Sequence, residues 1–411
     1  MAIPEKDWTT LRGLAQQLAE IAALPEQQEK AELWRRLNRL ERVRPMVILQ
    51  NGTWHETGDE IRLSCEDEFA RGQEWGLRAT LYHWEHMRDD SVYEGRIVCP
   101  IAVRDTGWGI QAQWTRPDHV FGAAQFEPVV APGDEPERIP LPTVTVDWEA
   151  TDRHYQQLCE LYDGILPVVK VGVCGHWFAI MDDLIQWRGI ENVFTDMVDR
   201  PEWVHAWLER MTQWHLSRLD QYGALNVLSL NNGAQGVGPG GLGFTDELPQ
   251  KDFDGGHVRT IDQWGHATTQ IFSEVSPAMH VEFALDYESR FLSRFGLAGY
   301  GCCEPLDRKV DIARKAIPHL RRISMSPRAD VARGAEAVGS GLIFSYKPNP
   351  AIIGMEDWHE DLVRAQLRDV LEKTRGCVIE IIMKDLHTCR KQPWRMWEWV
   401  RIAMELAQEC E

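Results

Sequence analysis

Apolar residues along this chain fall at helical spacing near its start and in short, nearly unbroken runs further on. Leu11, Leu14, Leu18 and Ile21 recur every three to four residues, which predicts a helix within 5–45, and a second, charged helical segment covers 33–44. The stretch 66–89 again favours helix. Residues 1–90 therefore read as an N-terminal helical extension, with one brief apolar run, MVILQ (46–50), inside it. RIVCPIAV (96–103) predicts a strand, and its Pro100 suits an edge or a bulge. From 107 to 146 proline, glycine and aspartate dominate, as expected of a long insertion or lid over a sheet.

From Thr151 the rhythm changes to short apolar runs alternating with amphipathic segments. Strands are predicted at 168–173, 226–231, 278–286, 297–302, 321–326, 342–346 and 377–383. Helices are predicted at 151–162, 259–275, 305–316, 328–338, 356–375 and 394–408. Another follows Pro201, where Trp203, Trp207, Met211 and Trp214 form one apolar stripe with core packing as its expected role. Strand-helix alternation of this length implies a parallel sheet. With RIVCPIAV the strands number eight, which closes a (β/α)8 TIM barrel; an open doubly wound α/β sheet is the alternative. The barrel would span 91–411.

The polar clusters stand where these strands end, the side on which both architectures place their sites. In AMHVEFALD (278–286) a strand would point His280 and Glu282 to one face. Cys302, Cys303 and Glu304 follow about one strand later, and KDLHT (384–388) adds His387. His280, Glu282, Cys303 and His387 then make a tetrahedral zinc set with one ligand displaceable by substrate. Cys302 and Cys303 face opposite ways in an extended segment, so one of them reaches the ion; Cys303 is preferred, with Cys302 or Glu304 as substitutes. The plainer reading is that His280 and Glu282 bond each other and the cysteines fill core space. Cys389 lies in a basic segment expected to be exposed. Lys347 or Lys384 would orient a substrate anion, Tyr346 or Asn231 would position the substrate, and Asn232, His176 and Trp177 are further contacts. The glycine-rich loop NNGAQGVGPGGLGF lacks the Lys-Ser/Thr of a P-loop, so it reads as a mobile lid or a backbone surface close to ligand.

The net charge, 44 basic minus 63 acidic residues, is −19. Such a field repels nucleic acid and anionic lipid, and it disfavours a polyanionic substrate unless a local basic pocket overrides it. No basic region followed by an apolar stretch opens the sequence, and no run of transmembrane length occurs. Nine cysteines in no regular frame argue against a disulfide scaffold, which points to a reducing cytoplasm.

The stretch 150–411 resembles the uroporphyrinogen decarboxylase superfamily, and within it the corrinoid-dependent methyltransferase branch. The residues that carry the resemblance are MHVEF, where the family has a His-x-Cys segment, then GYGCCEPLDRKVDI, SYKPNP and IEIIMKDLHTCRKQPWRMWEWVRIA. The resemblance implies zinc that activates a methyl donor or acceptor. It also implies a small methoxy, methylamino or methylthio compound as donor, and a corrinoid on a separate partner protein, whose Asp-x-His-x-x-Gly pattern this chain lacks. Glu282 stands where the family has its cysteine, and His387 lies near the place of the final-loop cysteine. Decarboxylation of the tetrapyrrole itself fits poorly, because no arginine-rich cluster is present to hold so many carboxylates. A metal-independent decarboxylase of a smaller carboxylate and a non-catalytic binding barrel remain as alternatives, and the helical extension is a surface through which two copies would pair.

Overall fold

The computed structural model describes residues 3–115 and 125–410. Its centre is a six-stranded parallel sheet. We label the parallel strands β1 (Met46–Leu49), β2 (Ile97–Pro100), β3 (Val168–Val171), β4 (Trp264–Ala267), β5 (Leu297–Tyr300), β6 (Leu320–Met325), β7 (Ile343–Tyr346) and β8 (Val378–Met383). The order in the central sheet is β1-β8-β7-β6-β5-β4, and β2 and β3 form a separate parallel pair. Lone parallel bridges, Val173 to Leu228 and Phe178 to Ala267, carry the pairing from β4 towards β3. The architecture is α/β with a curved run of parallel strands, and no pairing between β1 and β2 closes it among the described residues.

The sheet begins inside the stretch read as a helical extension, because MVILQ pairs with the last strand, Met46 opposite Glu380. Two buried strands brought together from the chain ends need no alternation, which is why both read as continuous apolar runs. The segment 226–231 makes one bridge rather than a strand. Part of the 107–146 insertion, 116–124, lies outside the described residues; the rest forms one short antiparallel pair, Gln113–Thr115 with Gln125–Glu127, and its end, Val144–Val146, pairs with Val103–Asp105 just before it.

One expected strand and one expected helix change places. The stretch 278–286 is helical: Pro277–His280, a wider turn at Val281–Leu285, then Asp286–Leu292. Ser276 caps it, its hydroxyl accepting from the Met279 N–H, and Pro277 takes the first helical position, where its missing N–H costs nothing. Phe283, Tyr287 and Phe291 then recur at helical spacing on the buried side. The strand lies earlier, at β4, within the predicted helix 259–275. All four of its residues are buried, and Gly265 is required because a Cβ there would stand 2.4 Å from the Phe295 ring.

Each strand presents alternate residues to two different environments. Val47, Tyr300, Ile323, Phe344, Ile379 and Ile381 face the helices, in one large apolar core with Trp207, Trp214 and Trp399. On the other, inner face Met46, Ile48, Ile343, Val378 and Ile382 pack with Trp34, Leu242 and Phe244. The glycine-rich loop is thus part of this packing and not a lid. Gly240–Thr245 are buried, and the Asn38 amide donates to the Leu242 and Phe244 carbonyls at 2.9 and 2.8 Å. No helix is long and apolar enough to cross a membrane.

Candidate active site at the strand ends

On the inner face the apolar pattern is broken by charge. Arg322 (β6) and Glu380 (β8) are fully buried and lie 3.5 Å apart. Part of their remaining capacity is met nearby: Glu380 Oε1 accepts from the Ser345 hydroxyl at 2.5 Å and the Gly241 N–H at 3.0 Å, while Arg322 donates to the Gly241 carbonyl and the Asn38 side chain; Glu380 Oε2 and Arg322 Nε have no hydrogen-bond partner among the described residues. A Cβ at Gly240 or Gly241 would sit within 3 Å of these groups, so the loop must be glycine there. Lys347, two residues beyond Ser345 and on the same face, donates to the Ser345 hydroxyl at 2.5 Å. It has no carboxylate in ion-pair range among the described residues. Burial pushes its ammonium down to about 7, with Glu380 opposing and Lys384 and Arg322 adding to the fall.

The thiols stand at the end of β5. Gly301, at φ +85°, turns the chain, and Glu304 fixes the turn by accepting from the Cys302 N–H at 2.9 Å and the Thr268 hydroxyl at 2.9 Å. Cys302 and Cys303 have their sulfurs 3.6 Å apart. The Lys384 ammonium, from the end of β8, donates to both, at 3.4 and 3.6 Å, and to Asp385 at 2.5 Å. Asp385 holds a left-handed backbone, φ +59°, unusual outside glycine and tolerated best by Asp and Asn. The pair shares a proton unequally. Either sulfur can donate to the other; with Cys302 as the donor, that bond lowers Cys303 to about 7 against the pull of burial, with Lys384 assisting, and Cys302 is raised. Burial alone would push Lys384 down; the Asp385 bond and the two sulfurs hold it above its usual range.

His266 (β4) completes the cluster. It is 2% exposed and stacks on Trp177 with ring centroids 5.1 Å apart, while Trp177 itself is 41% exposed. Neither ring nitrogen makes a hydrogen bond. Burial, then the charges of Lys347, Arg322 and Lys384, drive its pKa down to about 3; the Gly301 backbone is near enough to oppose the fall without bonding geometry. The imidazole is neutral at any physiological pH. Gly299 and Gly238 make room for it, since a Cβ on either would approach the ring to 2.8 or 2.4 Å.

Of the four expected zinc ligands, only Cys303 lies in this cluster. His280 is on the helix behind β5, buried, with its Nε2 2.6 Å from the Tyr300 hydroxyl, which donates to Glu288 at 2.8 Å. Glu282 has a half-exposed side chain paired with His205 at 3.3 Å. His387 is exposed in the last loop. Among the described residues no three His, Cys, Asp or Glu side chains are grouped to hold a metal ion, and beside the thiols the neighbouring group is an ammonium, which repels a cation. These residues therefore do not fit a zinc centre. The spacing of two between His280 and Glu282 puts them on one side only in a strand; in a helix they diverge.

The other expected contacts divide. Lys347 and Lys384 are in the cluster, and Trp177 borders it. Tyr346 faces the helix layer, near Asp369. Asn231 is spent on backbone, donating to the Cys174 and Trp264 carbonyls and accepting from the Trp264 N–H; Asn232 donates to the Leu248 carbonyl. His176 is bound to the Gln263 side chain at 2.9 Å. Cys389 is buried rather than exposed, its thiol donating to Glu56 at 3.1 Å. His266, Arg322 and Glu380 were not anticipated. The signal for Arg322 and Glu380 was present: a charged residue inside an apolar strand run is rarely buried without a purpose.

Large cavities open away from this cluster, one of about 680 Å³ lined by Glu247, Gln250, Ile261 and Arg321. No family model matches the chain, and no curated protein matches it. Among solved structures, a methyltransferase from Methanosarcina mazei superposes with a TM-score of 0.49 at 9% identity, over 91% of this chain and 97% of that one.

Proposed function

We propose that the chain is a group-transfer enzyme that moves a methyl group from a small methoxy, methylamino or methylthio compound to an acceptor outside the chain. The observation that carries this reading is the Cys302–Cys303 pair against the Lys384 ammonium, a partly exposed sulfur held as thiolate near neutral pH. Thiolate sulfur is a strong nucleophile towards saturated carbon, and a lowered pKa supplies it without a separate base. In the forward half-reaction Cys303 Sγ attacks the methyl carbon. The carbon–heteroatom bond breaks, its electron pair leaves with the heteroatom, and the leaving group takes its proton from solvent. In the return step Lys384, hydrogen-bonded to the sulfur, stabilises the thiolate that departs. A reduced corrinoid on a separate protein is the acceptor in this reading, supplying the electron pair that takes the methyl group. The chemistry runs through the thiolate and not through zinc, because the expected ligands do not converge.

Intact-mass analysis after incubation with a panel of methyl donors tests the proposal. One added methyl group on Cys303, absent in Cys303→Ser and removed by the reduced corrinoid protein, is the expected result. Turnover that persists unchanged in Cys303→Ser would refute it. Lys347 favours one second reading, a metal-independent decarboxylase, because a buried amine of lowered pKa suits carboxylate chemistry. Release of carbon dioxide without methyl transfer would mark that reaction.

A further inference from the structure

Beside the single unpartnered atoms of Arg322 and Glu380, two buried side chains of the inner face carry most of their hydrogen-bonding capacity unused. A neutral imidazole has one N–H and one lone pair to satisfy, and neither nitrogen of His266 has a partner. An ammonium has three donors, and Lys347 directs its bonds to Ser345 alone. The nearest carboxylate, Glu380, is already committed to Ser345, Gly241 and Arg322. The other acid of the cluster, Asp385, is bound to Lys384 and turned half to solvent. Arg322, Lys347 and Lys384 act on His266 from three strands; Arg322 and Lys384 are paired with Glu380 and Asp385, which leaves Lys347 as the cation without a carboxylate partner among the described residues. Gly238, which packs against the His266 ring, is itself solvent-exposed, so the ring lies one glycine away from solvent.

We propose that His266 and Lys347 form a subsite for one carboxylate of the substrate, so that the transferred group leaves an anionic small molecule; this rests on the group-transfer reading above. One carboxylate oxygen accepts from Lys347 Nζ and the other from the His266 N–H. A single cation beside a neutral donor matches one negative charge and leaves a dianion under-compensated, which favours a carboxylate over a phosphate. Trp177, stacked on the far side of His266, holds the ring in the orientation that presents its nitrogens.

Binding of acetate, butyrate and benzoate, each against its uncharged amide, tests the subsite by calorimetry on the full chain in buffers of different ionisation enthalpy. The groups facing Lys347 are Glu380, Lys384, Arg322, Cys302 and His266. The bound anion adds one negative charge to this set, which favours the protonated Lys347, so binding takes up a proton near neutral pH. The acids are expected to bind at least about tenfold more tightly than the amides. Lys347→Met should lose that preference and the proton uptake, and His266→Ala the preference alone. Inorganic phosphate is expected to bind more weakly than the acids. Equal binding of acids and amides by the unaltered protein, or unchanged preference in Lys347→Met, overturns the proposal whatever the folding of other variants. Alkylation of Cys303 in the same samples separates the two claims. Rapid alkylation without carboxylate binding leaves the transfer reading standing and the subsite refuted, whereas carboxylate binding with an inert Cys303 does the reverse.

Discussion

Two buried histidines stand on opposite sides of one strand, and they show how burial alone fails to mark a site. His280 and His266 are both nearly inaccessible, and burial depresses both to about 3. They differ in what β5 turns towards them. Its Tyr300 faces outward and gives His280 a hydroxyl, which in turn donates to Glu288, itself bound by Thr269. Its Gly299 faces inward and gives His266 only room. His280 is bonded to the Tyr300 hydroxyl through Nε2 and leaves Nδ1 without a partner among the described residues, whereas neither nitrogen of His266 is bonded and its ring shares its surroundings with Lys347, Lys384 and two thiols. One unbonded nitrogen is tolerated on a ring that the core holds by the other, whereas a buried ring with neither nitrogen bonded, beside a cation, marks a place for a ligand.

Five substitutions would break or sharpen this contrast. Cys303→Ser should lower methyl transfer by about a thousandfold or more in single-turnover kinetics, because a hydroxyl has no lowered pKa to make it a nucleophile. Gly299→Ala forces a methyl group to within 2.8 Å of His266 Nδ1. It should cost about 1–3 kcal/mol by urea denaturation, and carboxylate binding should be lost with it. Tyr300→Phe leaves His280 and Glu288 short of a partner and should cost about 1–3 kcal/mol, while the folded variant keeps the Cys303 reactivity of the parent. Glu282→Ala and His387→Ala remove an exposed ion pair and a surface ring. Each should change stability by less than about 0.5 kcal/mol and leave transfer intact, the opposite of what a zinc ligand would show.

The outer network also sets a pH dependence. Burial raises Glu288 to about 8 in the folded protein, against the bonds from Tyr300 and Thr269. A carboxyl group whose folded pKa lies above its unfolded one binds more protons in the native state, so its contribution to stability falls as pH rises from about 4.5 through 8. Glu288→Gln should remove that decline, so that its stability relative to the parent improves between pH 5 and pH 8 in denaturant titrations.

Much of the sheet was legible because buried parallel strands are short apolar runs: RIVCPIAV, VVKVGV, LIFSY and CVIEIIM all contain strands where expected. Lys347, Lys384 and Cys303 were legible as polar residues just beyond such runs. The spacing of two between His280 and Glu282 suits a shared zinc ion only in a strand, and the Ser276-Pro277 helix start that precedes it overrides that spacing. His266 escaped because β4 has four residues, one of them glycine and one the histidine itself, too short a run to outweigh its helical surroundings. What made it a candidate is the absence of partners, a property of the folded chain that no local pattern encodes.

The central claim is that Lys384 and Cys302 hold Cys303 as a thiolate at the strand ends, and the pH profile of Cys303 alkylation by iodoacetamide tests it most directly. The account predicts a midpoint near 7 for the parent and a clear upward shift in Lys384→Met. Superimposable profiles for the two proteins, both with the midpoint of about 8.5 typical of a free thiol, would contradict it.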